Sequence, residues 1–245
     1  MVNDGRRVRR DCVPAIPKPL VLQQGADMPA ILDHVLWGAP DLERGVEEIG
    51  RLFGVKPAYG GEHPGLGTRN ALLSAGDGLY FEVIAPDPAQ SLDNTLGGVL
   101  AALPRPELFT YAVRREGLQG TAKAADRLGI ASSGILSKQR TAPDGTVISW
   151  DMLIMSSQYG GAVPFVIDWR ETRHPSEVTP TGCRIESFRV AHPDAEALRR
   201  AYAELDLDIA VVLSSDPQLI VQLDTPNGEA WLTGSGAFTL PLPTQ

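Results

Sequence analysis

The sequence predicts an α+β fold in which three βαβββ modules follow one another and curl their sheets around a cavity. Each module combines an alternating strand pattern, one helix with a single apolar stripe, and further short strands. The first and third helices also open alike, on Pro40-Asp41-Leu42-Glu43 and Pro193-Asp194-Ala195-Glu196. A sheet covered by one helix leaves its other face free, and two modules side by side can bury these faces around a shared cavity. A ferredoxin-like sandwich with a solid core is the alternative.

The first module begins with a strand over residues 31–37, where successive side chains alternate between the two faces of a sheet. Asp41 is a helix N-cap, and the apolar residues after it recur at helical spacing until a glycine ends the helix. Two more strands, residues 70–74 and 79–85, flank an Asp77-Gly78 turn. The helix stripe consists of Leu42, Val46, Ile49 and Phe53.

The second and third modules repeat this order. Strands at residues 108–113 and 185–191 each precede a helical stripe. Three short strands then follow in each module, separated by glycine-containing turns. These later strands are expected at residues 135–138, 146–155 and 163–169 in the second module, and at 209–213, 219–223 and 229–232 in the third.

Length and composition indicate one packed body that handles a small molecule. The 245 residues divide into a flexible N-terminal extension at residues 1–27, a two-module domain at 28–175 and a third module at 176–245 packed on it. The net charge is −8, and basic residues cluster only in the extension, so we expect no nucleic-acid partner. No apolar run is long enough to span a membrane. Two cysteines make no disulfide framework, which favours a cytoplasmic protein.

The candidate chemical groups lie in the first module. His34 lies between two leucines on one strand face, and Glu82 lies between Tyr80 and Ile84 on another. Burying such polar groups is costly unless they are paired, so the two side chains should meet if the last strand of the module lies beside its first. A lone His–Glu pair is more often structural than catalytic. A Zn or Fe(II) site generally needs at least three protein ligands.

Further candidates are scattered along the chain. His63 lies in a Gly- and Pro-rich loop at residues 60–68, which suits a cavity mouth or, alternatively, an ordinary irregular loop. Asp168 lies on a strand in a position like that of Glu82, and its alternative role is to cap a turn or pair with Arg170. Aromatic residues on strands are candidate cavity walls, although most such residues are simply core. They are Trp37, Tyr80, Trp150 and Trp169.

Four stretches of the chain resemble a glyoxalase-like domain of the vicinal oxygen chelate superfamily, which includes glyoxalases, bleomycin resistance proteins and extradiol dioxygenases. They are ILDHVLW at residues 31–37, PDLE at 40–43, GEHPGLGTRN at 61–70 and YFEVI at 80–84. The resemblance covers roughly residues 28–175. It implies paired βαβββ modules that form a cupped cavity, often with a divalent metal ion that chelates vicinal oxygens of the substrate.

The resemblance also implies roles for individual residues. His34 and Glu82 match the first-strand and last-strand metal ligands, with Asp168 near the last-strand position of the second module. At the matching first-strand position the second module has Thr110 or Tyr111, and neither completes the usual ligand set. One divalent ion (Zn, Fe, Mn, Ni or Co) or none is therefore expected. We assign catalysis to Glu82 and His63, and substrate contacts to Trp37, Tyr80, Tyr111 and Asn70.

The predicted function is a small-molecule enzyme of the lyase, isomerase or dioxygenase type. The alternative is a metal-free binding or resistance protein that uses the same cavity. A third class is an oligomeric structural or interaction protein, because three modules are an odd number for a pairwise cavity. Either the third module pairs within the chain, or a second copy completes a homodimer.

Overall fold

A computed structural model describes residues 28–142, 144–236, 238 and 240–242 of the chain. The expected N-terminal extension at residues 1–27, with its arginine cluster, lies outside the described residues. The helices are α1 (Leu42–Phe53), α2 (Leu96–Ala101), α3 (Gln119–Arg127) and α4 (Ala195–Leu205). The strands are β1 (Ala30–Gly38), β2 (Ala58–His63), β3 (Thr68–Ser74), β4 (Tyr80–Pro86), β5 (Glu107–Arg114), β6 (Ala131–Thr141), β7 (Val147–Ser156), β8 (Phe165–Asp168), β9 (Arg184–His192), β10 (Leu207–Asp208), β11 (Ala210–Leu213), β12 (Gln218–Thr225) and β13 (Gly228–Gly234).

One curled sheet contains the first eight strands in the order β2-β3-β4-β1-β5-β8-β7-β6, and the short strand β10 joins it beside β1. In each of the first two modules the last strand runs parallel to the first, β4 beside β1 and β8 beside β5. The modules join where β1 runs antiparallel to β5. The sheet curls until its two edge strands meet. At this contact Arg140 of β6 donates a hydrogen bond from Nη1 to the carbonyl oxygen of Gly60 in β2. The predicted α+β fold with a cupped sheet around a cavity is confirmed.

Two glycines in β2 permit close contacts, one within the β2–β3 hairpin and one at this edge. A Cβ atom on Gly60 would lie 2.4 Å from Oδ1 of Asn70, and one on Gly61 would lie 3.0 Å from the carbonyl oxygen of Thr141. Gly61 also has a φ of +133°, which favours glycine. The loop expected over residues 60–68 is therefore shorter than predicted, since β2 and β3 form a hairpin and only residues 64–67 turn. His63, Gly65 and Leu66 of this segment line the cavity, as the cavity-mouth expectation requires.

Helices α1 and α3 cover the convex face of this sheet. Asp41 caps α1 by accepting a hydrogen bond from the backbone N–H of Arg44 at 2.9 Å, and Gly54 ends the helix at a φ of +78°. The apolar stripe of α1 packs on Val35 and other convex-face residues of the sheet, in a core separate from the one on the concave side. No helix among the described residues has the length and apolarity needed to cross a membrane.

The third module packs on the convex face over β5. Its four-stranded sheet has the order β11-β9-β12-β13, so its first strand lies between two later ones, unlike those of the first two modules. Strand β13 approaches β5 so closely that a Cβ on Gly234 would lie 1.6 Å from the carbonyl oxygen of Leu108. The hydroxyls of Tyr202 on α4 and Tyr111 on β5 are hydrogen-bonded at 2.6 Å. The third module thus docks within the chain, outside the cup.

Candidate active site

The concave face of the curled sheet encloses a cavity of about 120 Å³ between the first two modules. On this scale a water molecule needs about 10–15 Å³, so the cavity accommodates a ligand of about ten non-hydrogen atoms. Residues 94–96 and 240–242 form two of its sides. Most of its wall is apolar, and the principal side chains there are Leu36, Ile84, Trp150, Met152, Phe165 and Ile167.

His34 and Glu82 face each other in this cavity. The parallel pairing of β1 and β4 places Tyr80 beside His34 and Glu82 beside Leu36, all on the concave face. The His34 Nε2 and Glu82 Oε2 atoms are 3.4 Å apart, and the two residues are 2% and 4% exposed. The sequence expectation that the two strands bring these side chains together is therefore met.

Asp33 fixes the orientation of the His34 ring. Nδ1 of His34 donates a hydrogen bond to Oδ2 of Asp33 at 2.7 Å. The fully buried carboxylate also accepts from Nε2 of His174 at 2.9 Å and from Nε1 of Trp169 at 3.2 Å. Burial would raise the pKa of Asp33, but the hydrogen bonds from His174 and His34 hold that pKa well below its usual range. The charged carboxylate therefore leaves Nε2 of His34 directed at Glu82.

Asn70 and His63 hold Glu82 from the other side. Nδ2 of Asn70 donates to Oε1 of Glu82 at 2.8 Å and to Nε2 of His63 at 3.3 Å. Nδ1 of His63 in turn donates to the hydroxyl of Thr68 at 2.9 Å. Burial lowers the pKa of His63, in keeping with a neutral ring that accepts at Nε2. A continuous chain of contacts thus runs from Thr68 through Glu82 to His34.

Tyr80 adds a hydrogen-bonding group to the cavity. Its ring stacks on His34, with centroids 4.2 Å apart and planes 16° from parallel. Within the described part of the chain, its hydroxyl forms no hydrogen bond. Burial, with smaller contributions from the charges of Asp33 and Glu82, raises the pKa of Tyr80 well above its usual value. The phenol therefore stays protonated and can donate to a ligand.

Two of the predicted substrate contacts need correction. Trp37 and Tyr111 lie on the convex face, because strand side chains alternate and each is an odd number of residues from a concave-face position. The Tyr111 hydroxyl donates to the carbonyl oxygen of Ala162 at 2.8 Å and contacts Tyr202, so it helps to dock the third module. The other two predicted contacts, Tyr80 and Asn70, line the cavity.

The predicted metal ligand Asp168 also needs correction. Phe165 and Ile167 of β8 line the cavity, and Val166 points to the convex core, so Asp168 does not share the concave face. Its carboxylate instead accepts from the backbone N–H groups of Gly117 and Arg170, each at 2.8 Å, which is the turn-capping alternative. No group of three or more His, Cys, Asp or Glu side chains suited to a metal ion occurs among the described residues.

Sequence reasoning missed three features of the site, one in the cavity wall and two behind it. Arg140 lines the cavity, but the strand predicted there ended at residue 138, whereas β6 continues to Thr141. Asp33 could have been found, since it is a carboxylate on a strand between apolar neighbours. The contacts of Trp169 and His174 with Asp33 join residues more than 130 positions apart and leave no local signal.

A family model described as a glyoxalase-like domain matches residues 32–205. The chain belongs to this family. This match confirms the resemblance to the vicinal oxygen chelate superfamily that the sequence predicted. No curated protein matches the chain.

Three solved structures are similar to this glyoxalase-like protein at low sequence identity, and the first of them shares its fold. A hypothetical protein from Staphylococcus aureus is 17% identical with a TM-score of 0.58, over 83% of this chain and 85% of that one. A Streptomyces coelicolor methylmalonyl-CoA epimerase variant in complex with 2-nitronate-propionyl-CoA is 17% identical with a TM-score of 0.41, over 58% and 98%. The Mn(II)-bound glyoxalase from Novosphingobium aromaticivorans is 9% identical with a TM-score of 0.46, over 89% and 86%.

Proposed function

We propose that this glyoxalase-like protein is a small-molecule enzyme of the isomerase or lyase type, in which Glu82 and His34 move a proton on a ligand held in the cavity. One observation carries the proposal. His34 lies between two carboxylates, Asp33 at Nδ1 and Glu82 at Nε2, at the wall of an otherwise largely apolar cavity. An aligned acid–base pair in such surroundings is the arrangement that general acid–base catalysis requires.

Each residue has a distinct role in the proposed reaction. Glu82 takes a proton from a ligand carbon next to a carbonyl group, and His34 exchanges a proton with Glu82 through Nε2. Asp33 positions His34, while Asn70 and His63 position Glu82. The Tyr80 hydroxyl donates to the ligand oxygen on which negative charge develops.

A divalent metal ion is the other source of such charge stabilisation in the superfamily. The cavity presents His34 and Glu82 as donors, and the second module contributes Phe165 and Ile167 where further ligands would be needed. Two donors fall short of the three protein ligands that such sites generally use. The described residues therefore do not fit the predicted metal site, and the proposed proton transfer depends on side chains of the chain itself.

Proton exchange into deuterated solvent tests the proposal. The protein is incubated in D₂O with a panel of small ketones, aldehydes and 2-oxo acids, and ¹H NMR follows loss of the proton next to the carbonyl. We expect accelerated exchange for at least one compound, and a loss of about 10²-fold or more in Glu82→Gln. Glu196→Gln, which changes an exposed residue of α4, is the matched control. Exchange at the buffer rate throughout, or full activity in Glu82→Gln, contradicts the proposal.

A binding or resistance protein is the second candidate, favoured by the apolar wall of the cavity. In that case a compound binds wild type and Glu82→Gln with equal affinity, and neither protein accelerates exchange. Elemental analysis belongs to the same experiment. Wild-type protein that holds about one divalent ion per chain, together with loss of that ion in His34→Ala and Glu82→Ala, would instead support a metal-dependent enzyme.

The remaining predictions concern the whole protein. The division at residues 27 and 175 stays a proposal, as do the cytoplasmic location and the homodimer. Sedimentation equilibrium measures the assembly state directly, and a mass of twice 26.3 kDa is the result expected for the homodimer.

A further inference from the structure

We propose that the ligand of this cavity carries a carboxylate group and that the guanidinium of Arg140 binds it. The inference deepens the proposed function, on which it rests, by naming a substrate class. Arg140 lies on β6, in the second module, whereas Glu82 lies on β4, in the first. The ligand would therefore be held by one module and react at the other.

The guanidinium of Arg140 is buried and uses few of its hydrogen-bond donors within the described part of the chain. The residue is 6% exposed and lines the cavity beside Trp150 and Met152. Its Nη1 donates to the carbonyl oxygen of Gly60, and the remaining guanidinium nitrogens form no hydrogen bond with the described residues. A guanidinium has five N–H donors, so most of its capacity is available to a ligand.

Glu82 forms no direct ion pair with Arg140, and its charge acts on the guanidinium only from a distance. Its Oε1 accepts from Asn70, and its Oε2 faces Nε2 of His34. In the part of the chain that the structure describes, Arg140 forms no ion pair with any carboxylate. A buried charge without a direct ion pair is costly, and an anionic group of the ligand would supply that pair.

The surroundings favour a monocarboxylate with an apolar body. A carboxylate matches the planar fork of a guanidinium with two parallel hydrogen bonds. One guanidinium balances one negative charge, which a carboxylate supplies and a phosphate dianion exceeds. The volume of about 120 Å³ and the apolar wall leave room for a short aliphatic or aromatic body.

Binding of matched acids and amides tests this proposal without any turnover. Isothermal titration calorimetry compares phenylacetate with phenylacetamide, and 4-methylpentanoate with 4-methylpentanamide. We expect the acid to bind at least about tenfold more tightly than its amide in one pair or both, because only the acid pairs with the guanidinium. Equal affinities in both pairs, or no detectable binding of either acid, overturn the proposal.

Variants locate the preference at Arg140. Arg140→Met should reduce the acid-to-amide ratio to about one, whereas Arg127→Met, at an exposed arginine of α3, should leave it unchanged. An undiminished ratio in Arg140→Met overturns the assignment. If Arg140→Met fails to fold, Arg140→Lys decides, since an ammonium loses the two-bond geometry and should weaken the preference several-fold.

Glu82→Gln separates this proposal from the proposed function. The variant keeps Arg140 and should therefore keep the preference for acids. If it keeps that preference and also retains wild-type proton exchange, the proposed chemistry fails while the carboxylate site stands. If wild type exchanges protons but shows no preference for acids, the carboxylate site fails while the chemistry stands.

Discussion

At the scale of single residues, the site depends on a carboxylate that never touches the cavity. Asp33 is fully buried, and the free energy lost by removing its charge from water is offset by four donors. These donors are His34, His174, Trp169 and Arg114. Because one acceptor satisfies all four, changing it should disturb both stability and the orientation of His34.

Asp33→Asn tests this dependence. The amide retains one acceptor oxygen but replaces the other with a donor, so at least one buried N–H group loses its partner. We expect the free energy of unfolding to fall by about 1–3 kcal/mol, as measured by urea denaturation. Asp126→Asn, at an exposed position of α3, should change it by less than about 0.5 kcal/mol. Equal stabilities of the two variants would contradict the role given to Asp33.

His63 predicts a pH dependence of stability. Burial lowers the pKa of His63 in the folded protein, whereas the unfolded chain titrates near the usual value of about 6.5. As the pH falls below about 6.5, the unfolded state takes up a proton that folded His63 does not, so stability declines. His63→Gln removes this proton uptake. The unfolding free energy of the variant should therefore fall less between pH 7 and pH 5 than that of wild type, and equal slopes would refute the assignment.

At the scale of elements, a close backbone contact helps to position the third module, in addition to the Tyr111–Tyr202 side-chain pair. Strand β13 lies against β5 at Gly234, where the space for a Cβ is already filled by a carbonyl group. Gly234→Ala should therefore lower the free energy of unfolding by roughly 3 kcal/mol, because backbone atoms must move apart. Thermal and urea denaturation both measure this change.

Gly120→Ala is the matched control for Gly234→Ala. Gly120 lies in α3 with nothing within 4 Å of the position a Cβ would take. Alanine there should stabilise the helix by about 0.5–1 kcal/mol through a lower backbone entropy cost. A similar loss of stability in both variants would mean that the contact at Leu108 is not what makes Gly234 necessary.

The elements that sequence analysis predicted are those whose signal is local. The stripe of α1 and the alternation of β1 and β4 depend on spacing along the chain. They placed His34 and Glu82 each among apolar neighbours on its own strand, and the two side chains were expected to meet if the strands were adjacent. Strand β2 was missed because its glycines lack strand propensity, and α2 because six residues carry too little periodicity. Asp168 was misplaced because a shift of one residue reverses the face of a strand.

At the scale of the whole molecule, the third module and the cup share one core. A single cluster of buried apolar residues runs from α1 and the convex face of the curled sheet to α4, β12 and β13. Strand order in the third module, and its docking outside the cup, depend on contacts between distant parts of the chain. Sequence analysis therefore left open whether this module pairs within the chain, and the structure resolves the question through Tyr111 and Gly234.

A shared core predicts that the two bodies unfold together. Leu223 of β12 is fully buried in the common cluster, and Leu223→Ala should cost about 2–5 kcal/mol. In a Trp231→Phe background the remaining tryptophans, Trp37, Trp150 and Trp169, all lie in the first two modules, so their fluorescence reports on the cup, including its convex face at Trp37. We expect Leu223→Ala to shift the fluorescence and far-UV circular dichroism midpoints equally in urea. A fluorescence midpoint that stays at the parental value while the dichroism signal shifts would mean that the third module unfolds independently of the cavity.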